Sequence, residues 1–262
     1  MIRHLLQLIW NQRKQNAWLW AELLLVSVFL WFLVDYLYVM GRTYTAPLGF
    51  DIRHTYSIVI SSLSERSPDY IPKEKRERPD GVHLLTALDR IRTYPGVESA
   101  CLTDGGMPYY MGSRNLVWRI DTLQVPCRYA FVTPEFFDVF RIYDKDGKTA
   151  SLKRAIEDNN SIVISADVET MNPGLSLLGQ KAYRGNVTDE IEETIRGISV
   201  PIRRHEYTKA EPNVYRALRL SRMEEGYYEG MIDAVRLCVR VRPDVDNADF
   251  PARFRKDMAE QL

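Results

Sequence analysis

Residues 17–40 read A-W-L-W-A-E-L-L-L-V-S-V-F-L-W-F-L-V-D-Y-L-Y-V-M, and more than two hundred residues of ordinary globular composition follow them. As a helix this run is long enough to cross a bilayer core of about 30 Å. Trp18, Trp20, Tyr36 and Tyr38 stand towards its two ends, where amphipathic rings favour the membrane–water interface. Glu22 and Asp35 interrupt the run near its ends, within reach of headgroups or of partner helices. A cleaved secretory signal and a buried core helix are the competing readings. A signal needs small residues before its cleavage point, and bulky Tyr44 lies two positions before Ala46. The aromatic ends and the total length favour a retained transmembrane helix over 17–40.

Orientation follows from charge. Arg3, Arg13 and Lys14 precede the span, whereas Arg42 is the basic residue that closely follows it. The positive-inside rule puts the N-terminus in the cytoplasm and residues beyond about 41 outside. Before the span, Ile2, Leu5, Leu6, Ile9 and Trp10 follow the spacing of a helical apolar stripe, so residues 1–16 are expected to form an amphipathic helix on the cytoplasmic membrane surface.

Over the whole chain the charges balance, with 35 basic and 35 acidic residues. Nucleic-acid binding needs a basic surface and is not indicated. Three cysteines, Cys101, Cys127 and Cys238, are too few for a disulfide framework. Their strand-like neighbours favour three buried or reduced thiols, with one bridge as the alternative. The four histidines are dispersed, and nothing in their spacing supports a metal pair such as His54 with His83. No nucleophile elbow, zinc-binding helix or phosphate loop is present, so the sequence points to no catalytic residue, no metal and no cofactor.

Periodicity predicts a strand over 54–63, a helix with Leu84, Leu85, Leu88 and Ile91 inward, and a strand over 97–103. Strands are expected at 115–122, 124–132, 161–165, 180–183, 193–202 and 213–218. Thr133-Pro134-Glu135 reads as a hydroxyl cap and start for a short helix carrying Phe136, Phe137, Val139 and Phe140. Another short helix is expected over 166–171. Leu237, Val239 and Val241 alternate with Arg236, Arg240 and Arg242, which predicts one buried and one wet face. A final helix near 247–262 spaces Phe250, Phe254 and Met258 four apart. The fold class is α+β, with two α/β halves flanking a strand-rich insertion.

Four segments in this order resemble the extracytoplasmic core domain of MacB-type ABC transporter permeases, related to FtsX and the lipoprotein-releasing permeases. They are I-R-T-Y-P-G-V-E-S at 91–99, Y-A-F-V-T-P-E-F-F-D-V-F at 129–140, S-I-V-I-S at 161–165 with L-G-Q-K at 178–181, and I-R-G-I at 195–198 followed by E-P-N-V-Y at 211–215. The resemblance implies a location at the inner (cytoplasmic) membrane and a periplasmic domain of two parts, a Porter-like subdomain at 46–104 and 227–262 and a Sabre-like insertion at 105–226. It also implies a non-catalytic permease subunit, a separate ABC ATPase, a homodimer, a periplasmic adaptor or other envelope partner, and mechanotransmission from the ATPase to the periplasm. Family permeases have four spans, three of them after the soluble domain, and this chain reaches Leu262 before any such span. The residues by themselves leave a second reading, a membrane-tethered interaction or sensor module without transport.

Overall fold

A computed structural model describes residues 3, 7, 10–11, 14, 17–60, 64–68, 70–72, 75–110, 112, 114–185, 190–226 and 234–261, with residues 260 and 261 as backbone only. Chain packing divides the protein into two units, Met1–Pro47 with Glu206–Thr208, and Leu48–His205 with Lys209–Leu262. The first holds helix α1, Ala17–Thr45, none of whose residues is buried. At 1.5 Å per residue its 29 residues extend about 43 Å, enough to cross a membrane. The helix runs five residues past the sequence-based end at 40. Thr45 stabilises that last turn by donating its hydroxyl to Gly41 O at 3.0 Å. Within the same unit the Tyr44 and Tyr207 rings lie 5.7 Å apart. Most of the expected amphipathic stripe (Ile2, Leu5, Leu6 and Ile9) lies outside the described residues, whereas Arg3, Gln7, Trp10 and Asn11 are helical.

The second unit is a mixed α/β domain. Its elements are β1 (Thr55–Ile58), α2 (Asp80–Thr93), β2 (Val97–Asp104), β3 (Arg114–Ile120), β4 (Leu123–Val132), α3 (Phe136–Val139), α4 (Ala150–Ala155), β5 (Ser161–Ser165) and α5 (Asp167–Met171). There follow β6 (Lys181–Arg184), β7 (Ile191–Ser199), β8 (Asn213–Ala217), α6 (Leu220–Glu224), β9 (Arg236–Val241) and α7 (Phe250–Gln261). The nine strands order as β1-β9-β2-β4-β3-β6-β7-β5-β8, and β8 also pairs with β4. That last pairing, parallel from Arg128↔Asn213 to Val132↔Ala217, closes β4, β3, β6, β7, β5 and β8 into a cycle. Closure leaves those six strands without a free edge. β1, β9 and β2 continue from β4 as an antiparallel extension, attached through Thr103↔Val132 and Asp104↔Phe131.

Three apolar clusters hold this arrangement. Leu84, Leu88 and Ile91 of α2 and Phe250, Phe254 and Met258 of α7 pack on Leu102, Leu237, Val239 and Val241. Phe136, Phe137, Val139 and Phe140 cover the opposite face around Cys101 and Cys238. Trp118, Ile120, Ile162, Ile164, Ile195 and Val214 fill the closed cycle. Each such large side chain contributes about 1.5–3 kcal/mol through burial.

Several expected details change. The first strand covers Thr55–Ile58, shorter than 54–63, and 61–63 lie outside the described residues. Leu85 is only half-buried. Thr133 does not cap α3: Glu135 precedes that helix, and the Thr133 hydroxyl accepts the Leu102 N–H at 3.2 Å instead. The residue is fully enclosed, so its hydroxyl serves the buried backbone of β2 rather than the helix end. The wet face expected for β9 is absent at Arg240, which is 0 % exposed. α3 lies across that side of the strand and removes it from water.

Candidate functional site

The segment that follows α1 in sequence, Leu48–Thr55, enters the second unit under unusual constraint. Leu48 O accepts the Arg203 N–H at 3.0 Å, and the Asp51 N–H donates to Phe140 O at 2.8 Å. Gly49 sits between these bonds at φ +83, where a Cβ would lie 2.1 Å from Pro201 O. Only glycine fits there, because the conformation and the space both exclude a side chain.

Arg240 completes the attachment. Its guanidinium donates Nε to Val139 O at 2.6 Å, Nη1 to Arg53 O at 2.7 Å, and Nη2 to Asp51 O. One fork thus ties the middle of β9 to the end of α3 and to two carbonyls of the lead-in segment. Rigid, planar geometry suits arginine to this task. Burial pulls the Arg240 pKa down and Arg141 adds to that, while Asp51 and Glu98 oppose it. A guanidinium titrates so high that it stays charged regardless.

Asp51 also folds the segment on itself. Its carboxylate accepts the Arg53 backbone N–H at 2.8 Å and the Arg53 Nη2 at 2.7 Å. The side-chain bond from Arg53 is the main reason its pKa falls to about 2, against the opposing effect of burial. Next along the chain, the His54 Nδ1 lies 2.5 Å from Asp246 Oδ2, and the Tyr56 hydroxyl donates to Asp246 Oδ1. That hydrogen bond is the largest cause raising the Tyr56 pKa to about 12.

The dispersed histidines are not brought together in one described cluster. His54 is engaged with Asp246, His83 is exposed on α2, and His4 lies outside the described residues. Among the described residues, no group of three His, Cys, Asp or Glu side chains could hold a metal ion. All three cysteines are buried and free. Cys101 and Cys238 face each other across β2 and β9, and Cys238 Sγ is 3.5 Å from Met107 Sδ. Burial raises the Cys101 thiol, its neighbour Cys238 adds to the rise, and burial pushes Cys127 up to about 12.

The sequence missed the Arg240 fork. A usable signal was the neighbouring Phe136-Phe137-Asp138-Val139-Phe140, too apolar to sit anywhere except on a sheet face. Placed on the second face of β9, it buries whatever that face carries.

Comparison with known proteins gives no match to any protein-family model and none among curated proteins. Solved structures do match. A domain of a proposed permease protein from Porphyromonas gingivalis aligns at TM-score 0.47 and 19% identity, over 67% of this chain and 68% of that one. The periplasmic region of MacB from Actinobacillus actinomycetemcomitans aligns at TM-score 0.47 and 11% identity, over 84% and 87%. The extracellular domain of the noncanonic ABC-type transporter YknZ from Gram-positive bacteria aligns at TM-score 0.47 and 12% identity, over 79% and 92%. The chain is similar to periplasmic and extracellular domains of ABC-type transporter permeases.

Proposed function

We propose that this chain is a membrane-anchored, non-catalytic permease-type subunit that conveys motion of a cytoplasmic ATPase into an extracytoplasmic domain. The N-terminus lies in the cytoplasm and the sheet domain outside the inner membrane. Residues 46–104 with 227–262 act as the membrane-proximal, Porter-like part, and 105–226 form the Sabre-like insertion. A separate ABC ATPase drives a homodimer, and an adaptor or other envelope partner receives the movement. The ordered motifs at 91–99, 129–140, 161–181 and 195–215 support this reading.

One observation carries it. The segment continuing from the apolar helix is fixed by Arg240 to the end of α3 and the centre of β9. A pull along the chain is therefore delivered to the sheet rather than absorbed by a loose loop. The test uses the full chain in nanodiscs with its co-purified ATPase, spin-labelled at exposed Glu157. Label-to-label distances across the dimer should shift between ATP-bound and nucleotide-free states, and a six-residue Gly-Ser insertion after Pro47 should abolish the shift. Unchanged distances in the unmodified protein would sink the proposal.

A membrane-tethered interaction or sensor module is favoured by one feature, an arginine-lined cleft on the same domain.

A further inference from the structure

A cleft of ≈ 390 Å³ opens where β2, β3, β4, β6, β7 and β8 converge. Small-molecule sites fall in the range of about 300–1,000 Å³. Among the described residues Arg114, Arg184, Arg216, Arg219 and Arg222 line it, together with two carboxylates, Asp104 and Glu193.

Both carboxylates are already engaged and turned inward. Asp104, 3 % exposed, accepts from Arg114 Nη1 at 2.6 Å. Glu193, 2 % exposed, accepts from Arg216 Nε at 2.7 Å and from its Nη2, while Arg184 Nε stands 3.4 Å from the other oxygen. Arg184 Nε is itself buried without a hydrogen-bond partner. Arg216 is held in place by the Phe131 ring, 4.9 Å below its guanidinium carbon. Among the described residues no carboxylate forms an ion pair with Arg219, which lies at the start of α6 with Arg222 one turn on. Burial is the main reason the Arg216 pKa falls; Arg184 and Arg219 add to the fall, while Glu193 opposes it.

We propose that this cleft binds a phosphate-bearing ligand with at least two negative charges. Forked guanidinium groups match phosphate oxygens bidentately and are more weakly hydrated than ammonium groups, so several on one wall favour such an anion over chloride. Phe131, Ile191 and Ala217 add an apolar wall for the organic part of the ligand. The proposal is independent of force transmission and stands under either reading of the chain.

Calorimetric titration of the full chain in phosphatidylcholine nanodiscs tests it, at fixed ionic strength. The probes are sodium pyrophosphate and the soluble short-chain lipid dihexanoyl phosphatidic acid. Saturable binding of either supports the site, and the tighter of the two identifies a free phosphate compound or a lipid headgroup as its source. Arg219→Ser and Arg222→Ser should each weaken binding about tenfold, the equivalent of 1.4 kcal/mol. Both residues lie outside the Glu193 ion pairs, and equal melting temperatures would show that the variants fold. If Arg222→Ser does not fold, Arg219→Ser alone carries the comparison. Absence of binding by both probes, or equal binding by folded variants, overturns the proposal.

Discussion

Arg240 is a buried charge satisfied by three backbone carbonyls, and its removal has consequences beyond lost contacts. In Arg240→Ala the buried oxygen of Val139 and the part-buried oxygens of Asp51 and Arg53 lose their donors, and a cavity opens. A loss of about 3–5 kcal/mol is expected in urea unfolding. Lysine keeps the charge but cannot address three acceptors in a fork, so Arg240→Lys should recover only part of that loss. Asp51 sets a pH dependence. Its folded-state pKa is depressed to about 2, so its stabilising effect is complete above the ordinary carboxylate value near 4. That effect disappears as pH falls from about 4 towards about 2. Thermal melts across this window should fall less steeply for Asp51→Asn than for the parent protein. The thiols make an opposite kind of prediction. With all three buried and the pKa values of Cys101 and Cys127 raised, a thiol reagent at neutral pH should label none in the native protein and all three after denaturation.

Element by element, local pattern was readable and layering was not. The strand at 161–165 and the helix carrying Phe250, Phe254 and Met258 were legible because β-branched runs and four-residue spacing report burial directly. β9 shows the limit. Alternation says which residues share a face, but only a long-range contact with α3 decides that the arginine face is dry. The cap misreading at Thr133 has a similar origin, since a hydroxyl beside a buried strand found a donor 31 residues away in sequence. α4 and α6 are five or six residues long, too short for a periodic signal. The Arg240 fork could not be read because its acceptors are carbonyls, which no side-chain pattern reports. Gly49 gives a direct test at this scale. Gly49→Ala sets a Cβ against Pro201 O at positive φ, so stability should fall by at least about 1–3 kcal/mol in chemical unfolding, or residues 48–50 must detach.

For the whole domain, protection should follow edges. β1 is the outermost strand, and Val59 just beyond it is 65 % exposed, whereas β5 is buried throughout and paired on both sides. Hydrogen exchange should therefore be slowest in β5 and β7 and fastest in β1, with β9 between them. Comparable protection of β1 and β5 would contradict the layered arrangement. The parallel join of β4 to β8 had no signature in the sequence, because strands about eighty residues apart carry no local mark of being neighbours.

That join has a consequence for how the protein is made. Arg128–Val132 can pair on that side only once Asn213–Ala217 exists, so a growing chain carries an open strand through the synthesis of everything between. During that interval the strand is a template for any passing backbone. Biogenesis thus needs a holding factor or rapid threading, and a truncation ending before residue 213 should aggregate rather than yield a smaller folded domain.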